Sequence, residues 1–196
     1  MYNYTAPNGL HDGGIYYLRN KRSGKYVSIE NSSINNEANI QQWEKEFSPH
    51  FRFKLSYLGN NLYSLKPISN LDLAMDVEGG SLLPGANVRQ YTWNNTSAQK
   101  WLITINTDST YTISPQCATY NALSVVSPYL ENGNNIASNY NTYADEQKWY
   151  FEETTNSNIA ITNYYDDSMN IRWNATNSQL EQAISSYSNC AGQAKL

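Results

Sequence analysis

The sequence predicts an all-β chain: a β-trefoil of three 48-residue, four-stranded repeats, followed by a short C-terminal extension that carries a helix. Three observations predict it. Gln99-Lys100-Trp101 returns 48 residues on as Gln147-Lys148-Trp149, and the same step back from Trp101 reaches Phe53. Apolar positions keep that step: Ile15, Tyr63 and Tyr111; Tyr17, Leu65 and Ile113; Val27, Met75 and Leu123; Ile29, Val77 and Val125; Ile40, Val88 and Ile136; Leu55, Ile103 and Phe151. Within a copy the apolar positions lie two apart, the period of a strand with one buried face. One such unit cannot bury its apolar face alone, so three must share a core. Closure about a threefold axis covers the strand edges that a linear stack would leave open at both ends. Asn39, Asn87 and Asn135 also keep step, and no insertion or deletion is expected between the copies.

Residues 1–13 read as a leader, with Pro7, Asn8 and Gly9 as turn formers and Gly13-Gly14 introducing the first strand. Copy one spans about 14–61, with a tight Ser23-Gly24 turn between its first two strands. Copy two spans about 62–109, where Asn70-Leu71-Asp72 replaces that glycine turn and Pro84-Gly85 turns the chain back. Copy three spans about 110–153; Pro115 ends its first strand, where a missing N–H is tolerated, and Asn132-Gly133 is the counterpart of Pro84-Gly85. Residues 154–196 leave the repeat. Ile159, Ile161 and Tyr164-Tyr165 suggest an extended segment, and Asp166-Asp167-Ser168 a turn. Ser178 with Glu181 forms a capping box for a helix whose apolar face is Leu180, Ala183, Ile184 and Tyr187. This extension either packs on the trefoil or opens a second domain.

Composition narrows the function. The 196 residues carry a formal net charge of -4 with only 13 Lys plus Arg, so no basic field exists to neutralise phosphates. No apolar run approaches membrane-spanning length, and no secretory signal is legible. The 17 tyrosines and 5 tryptophans, with abundant Asn, suit sugar recognition, since rings stack on apolar sugar faces and amides bond hydroxyls. They suit ordinary strands and turns equally. Cys117 and Cys190 are open to two readings, a disulfide from the tail to the core or two free thiols.

The paired Gln-x-Trp motifs, in phase with a threefold core, resemble those of the ricin B-type lectin family; copy one departs with Phe51-Arg52-Phe53. The resemblance covers about 14–153. It implies that Phe53, Trp101 and Trp149 lie in the core and that Gln99 and Gln147 organise nearby loops. It also implies three sugar-binding elements per copy: an Asp on the second strand, an aromatic platform three residues after the third-strand apolar residue, and a polar residue three before the repeat tryptophan. Copy two supplies Asp76 and Tyr91, with Ala98 at the third place, and Trp93 is a candidate to widen its platform. Copy one supplies Ser28, Trp43 and His50; copy three supplies Ser124, Asn139 and Glu146. Flanked by inward-facing Met75 and Val77, Asp76 is expected to point outward and offer a rigid acceptor pair to sugar hydroxyls. It reads equally as a solvated carboxylate, and Tyr91 as a half-buried strand residue.

Catalytic candidates are few. His11 and His50 lack metal-ligand spacing, and no nucleophile elbow or Cys-x-x-Cys pair is present. Glu152-Glu153 alternate along a strand and so point apart, leaving no opposed pair for glycosidase chemistry. The expected function is a non-catalytic carbohydrate-binding module with weak sites for galactose-type or related glycans, no cofactor and no metal. The Tyr- and Asn-rich, lysine-modest composition fits a secreted, extracellular and bacterial protein only loosely, and the resemblance implies an attached or partner enzyme or toxin that the module targets. The alternative is a trefoil with decayed sugar sites, acting as a structural, protein-binding or inhibitory pro-region module.

Overall fold

The computed structural model describes residues 8–154, together with residues 158–162 and 170–174. The chain divides into two compact units, Met1–Thr154 and Thr155–Leu196.

In the first unit each copy contributes four strands. They are β1 (Ile15–Asn20), β2 (Tyr26–Ile29), β3 (Ile40–Trp43) and β4 (Arg52–Gly59); β5 (Leu62–Pro67), β6 (Leu73–Val77), β7 (Ala86–Thr92) and β8 (Trp101–Ile105); β9 (Tyr111–Pro115), β10 (Asn121–Val125), β11 (Ile136–Tyr140) and β12 (Trp149–Glu153). The first and fourth strands of the copies pair in a closed ring, β1-β4-β5-β8-β9-β12 and back to β1, so this barrel has no edge. The second and third strands make hairpins, β2–β3, β6–β7 and β10–β11. The hairpins join in a cyclic set of main-chain contacts, Asn39 with Arg89, Asn87 with Ala137, and Asn135 with Gln41. Each contact is the previous one moved on by a copy. At the centre Asn39 Nδ2 donates to Asn135 Oδ1 at 3.0 Å, and Asn135 Nδ2 to Asn87 Oδ1 at 2.9 Å. That is why these asparagines keep the repeat's step.

The core holds most of the predicted apolar set, with Ile15, Tyr111 and Phe151 only half-buried. Val27, Met75 and Leu123, then Ile40, Val88 and Ile136, then Leu55 and Ile103 are all fully buried. Phe53, Trp101 and Trp149 are fully buried as well. The two indoles satisfy their N–H at equivalent carbonyls, Trp101 Nε1 to Met75 O at 3.0 Å and Trp149 Nε1 to Leu123 O at 2.9 Å.

The first strand of copy one departs from the expected phase. Phe53 faces Tyr16, as Trp101 faces Tyr63 and Trp149 faces Tyr111. Leu18, fully buried, therefore corresponds to Leu65 and Ile113, and Asn20 to Pro67 and Pro115. The cause is the turn: Gly24, at φ +71, closes the β1–β2 connection one residue shorter than its counterparts.

The leader is not a detached segment over residues 8–13. Asn8 and Leu10 are buried at the barrel end. Asn8 Nδ2 donates to Ile103 O at 3.0 Å, Tyr63 Oη donates to Asn8 Oδ1 at 2.7 Å, and Tyr111 Oη donates to Asn8 O at 3.1 Å. The hydroxyl of Tyr16, the third equivalent, accepts from His11 N at 2.9 Å. Three repeat-related tyrosines thus hold the N-terminal segment as a plug.

In the second unit Asn158–Thr162 (β13) and Asn170–Asn174 (β14) form an antiparallel hairpin, with Ile159 and Ile161 in its first strand. The expected helix from Ser178, the Asp166-Asp167 pair and Cys190 lie outside the described residues. Cys117 is a free, half-buried thiol whose pKa burial raises. No helix among the described residues is long and apolar enough to cross a membrane.

Candidate functional site

Strand alternation turns one face of each hairpin to the core and leaves the other facing away from it. On that second face the same three places recur in every copy. The second strand gives Ser28, Asp76 or Ser124. Opposite on the third strand stand Gln41, Arg89 or Ala137, each directly paired with its partner. Two residues further on, the third strand gives Trp43, Tyr91 or Asn139.

In copy two Asp76 is on the expected face but not in water: the residue is 4 % exposed. Arg89 covers it. Arg89 Nε approaches Asp76 Oδ1 to 3.4 Å, and Arg89 Nη1 reaches Glu78 Oε1 at 3.1 Å and Glu37 Oε1 at 3.7 Å. The guanidinium carbon also lies 4.6 Å from the centroid of the Tyr91 ring. Burial pushes the Asp76 carboxyl above its ordinary range, and the Arg89 charge pulls it partly back. Both the solvated carboxylate and the open acceptor pair read from the sequence are thereby corrected. Tyr91 is half-buried. Trp93 sits with Lys66 Nζ 5.0 Å from its ring centroid, and Ala98 is buried in the core cluster.

Copy one holds a pocket of about 170 Å³ lined by Ser28, Gln41, Trp43, Glu46 and Phe51 with the turn at Asn31-Ser32. Trp43 offers ring surface there, at 36 % exposed. Ser28 Oγ is buried and without a protein partner. Glu46 brings a carboxylate from the β3–β4 loop, although strand β2 has none. His50 is not among the lining residues. It sits in a short 3₁₀ turn, Pro49–Phe51, where Ser48 Oγ accepts from His50 N at 3.4 Å, and burial lowers its pKa. The lining role falls to its neighbour Phe51.

Copy three has neither part. Ser124 and Ala137 are buried, Asn139 replaces the ring, and the Glu146 carboxylate is engaged by Arg22 Nη1 at 3.0 Å.

The Gln-x-Trp glutamines act on loops. Gln99 Nε2 donates to Thr92 O at 2.9 Å and its Oε1 accepts from Asn94 N at 2.8 Å. Gln147 repeats this with Tyr140 O at 2.6 Å and Thr142 N at 2.7 Å. Each ties the end of a third strand to the start of a fourth and so fixes the loop beside the site. A second device was not read from the sequence. Gln42 Nε2 donates to the carbonyls of Tyr129 and Glu131, and Gln90 Nε2 to those of Ser33 and Asn35, so copies one and two each order a loop of a neighbouring copy, while Ser138 stands at this place in copy three. Their spacing of one repeat was the available signal. Among the described residues no group of three or more His, Cys, Asp or Glu is placed to hold a metal ion.

Known proteins share this architecture. None of the curated proteins matches the chain in sequence. The designed threefold symmetric protein ThreeFoil is 29 % identical, with a TM-score of 0.68 over 70 % of this chain and 97 % of its own. The exo-β-1,3-galactanase 1,3Gal43A of Clostridium thermocellum is 26 % identical, with a TM-score of 0.69; 74 % of this chain covers only 32 % of that enzyme. The Rhizoctonia solani agglutinin, at 19 % identity and a TM-score of 0.66, covers 76 % of this chain and 100 % of its own, a likeness of fold. The profile of the family described as ricin-type β-trefoil lectin domain-like matches residues 4–81 and 50–137. With the closed threefold barrel and the in-phase Gln-x-Trp motifs, this shows that the chain belongs to the ricin-type β-trefoil lectin-like family.

Proposed function

We propose that this domain is a non-catalytic carbohydrate-binding module whose working site is the copy-one pocket. The observation that carries the reading is the coincidence of that pocket with the positions at which the repeat presents its outward face. Trp43 supplies a ring for the apolar face of a pyranose, while Ser28, Gln41 and Glu46 supply hydroxyl, amide and carboxylate partners. A carboxylate accepts from sugar hydroxyls more strongly than a neutral group does. A pocket of about 170 Å³ offers contacts to about one sugar unit, so a single site binds weakly, in roughly the upper micromolar to millimolar range. Galactose-type sugars are the first ligands to test, because one relative above a quarter identity is an exo-β-1,3-galactanase. That the matching region is about a third of that enzyme supports an accessory role beside a catalytic or toxin partner, in a secreted protein that meets glycans outside the cell.

A glycan array followed by titration with galactose, N-acetylgalactosamine, glucose and mannose tests the reading. Trp43→Ala is expected to abolish binding and leave thermal unfolding within about 1 kcal/mol of the parent, as for a surface change. Retained binding in Trp43→Ala refutes the copy-one assignment. A silent panel favours the second reading, a trefoil with decayed sites, which the covered Asp76 and the Arg22–Glu146 pair support.

A further inference from the structure

We propose that Arg89 is an intramolecular occupant of the copy-two site and decides that this copy does not bind sugar as folded. The inference rests on the carbohydrate-binding reading but concerns a residue that the reading does not use. A sugar in copy two needs the two groups its strands offer, the Asp76 carboxylate and a face of the Tyr91 ring. One guanidinium engages both, at 3.4 Å from Asp76 Oδ1 and 4.6 Å from the Tyr91 centroid. The placement follows from the sheet: residue 89 lies directly across from 76 and on the same strand face as 91. A planar cation with a fork of donors suits carboxylate and ring together, which is why an arginine does this where a lysine would hold only the charge.

Two further carboxylates hold the group in place. Glu78 lies 3.1 Å from Arg89 Nη1, and Glu37, from the neighbouring copy, lies 3.7 Å away. The Arg89 side chain is only 15 % exposed, while Glu78 and Glu37 are more than half exposed, so these two pairs orient the guanidinium more than they stabilise it. The other copies supply the comparison. Copy one has uncharged Gln41 at this place, and its site is an open pocket; copy three has Ala137. The main chain at all three places makes the same inter-copy contacts, so the fold accepts Gln and Ala there.

The test is a site-resolved NMR titration of the parent, Arg89→Gln and Arg89→Ala with galactose, N-acetylgalactosamine, glucose and mannose. In the parent, shifts are expected at Trp43 and its neighbours and not at Asp76 or Tyr91. In both variants a second set appears at Asp76 and Tyr91, with affinity at least about tenfold above the parent's at that copy, the weight of one hydrogen bond to a charged group. Copy-one shifts stay the same. Parent shifts at Asp76 and Tyr91 that vanish in the variants would make Arg89 a sugar ligand and overturn the inference. So would variants that stay folded and gain nothing at copy two with any of the four sugars. Absent copy-one shifts in all three proteins count against the proposed function, not against Arg89, because the copy-two comparison between parent and variants is read separately.

Discussion

Replacing Trp101 by Phe tests the threefold core at its most specific point. The indole is fully buried, and its Nε1 donates at 3.0 Å to the carbonyl of Met75, itself fully buried. Phenylalanine removes that donor and leaves a buried acceptor unpaired, at a cost of about 1–3 kcal/mol. The smaller ring also leaves a void among well-packed neighbours, at about 1–2 kcal/mol after partial collapse. The variant should therefore lose about 3 kcal/mol, which for a domain of this size lowers Tm by about 6–12 °C. Trp149→Phe should cost the same to within about 1 kcal/mol, because its indole meets Leu123 O at 2.9 Å in the equivalent place. Phe53→Trp is the converse: copy one is packed around the smaller ring, and overfilling it should cost about 1–3 kcal/mol. Urea unfolding followed by circular dichroism reads all three, with an unchanged m-value confirming that the unfolding reaction is the same. A loss below about 1 kcal/mol in either Trp→Phe variant, or a clear inequality between the two, would refute the equivalence on which the packing argument stands.

Three further outcomes follow from the structure. Asn8→Ala removes the bonds to Ile103 O and from Tyr63 Oη inside the barrel end, and should cost about 2–3 kcal/mol in urea unfolding; an effect near zero would mean that residues 8–10 do not plug the barrel. Gly24→Ala should cost about 1 kcal/mol although its Cβ meets nothing within 4 Å, because φ +71 is unfavourable for a residue with a Cβ. Asp76 has its folded pKa raised, chiefly by burial, so its contribution to stability is full below its free value of 3.8 and is lost as pH rises through the folded value. Measured from about pH 3 to about pH 6, the parent should lose stability relative to Asp76→Asn; the slopes decide this, since the pH-independent cost of replacing the side chain only offsets the two curves. Parallel curves would show that Asp76 does not titrate in that window.

Much of the fold was legible because burial and periodicity coincide. A step of 48 residues that carries Trp101 onto Trp149 and Val88 onto Ile136 leaves few arrangements other than a shared core. The phase slip in β1 was not legible, because Tyr16, Tyr17 and Leu18 are all buried and the run fits the repeat in either register. Nor was the plug: Asn8 and Leu10 show no strand period, and their value lies in contacts such as Asn8 to Ile103, 95 residues away. At the site, alternation gave the face of Asp76 and not its cover. Facing-strand register, which places Arg89 opposite Asp76, carries that information. The family resemblance implies a role for His50, yet in the structure it is Phe51, its neighbour in the 3₁₀ turn Pro49–Phe51, that lines the pocket.

The two faces of each hairpin answer to different constraints, and this explains how one core supports three unlike sites. Closure needs the inward set, and it needs the main-chain contacts of Asn39, Asn87 and Asn135 with the next copy. It makes no demand on the side chains at 41, 89 and 137, because those contacts use only backbone. The barrel closes with three different side chains there, which is how Gln41, Arg89 and Ala137 can occupy equivalent places in one chain. The consequence for binding is quantitative. On the proposed reading, three equal sites on one domain would gain from each other on a surface of linked glycans, whereas one open site would leave the single-site affinity unaided. On that reading, firm attachment to a glycan surface would depend on several chains or domains acting together. An Arg89 variant that opened a second site would show this directly, by gaining more on a multivalent surface than on a free monosaccharide.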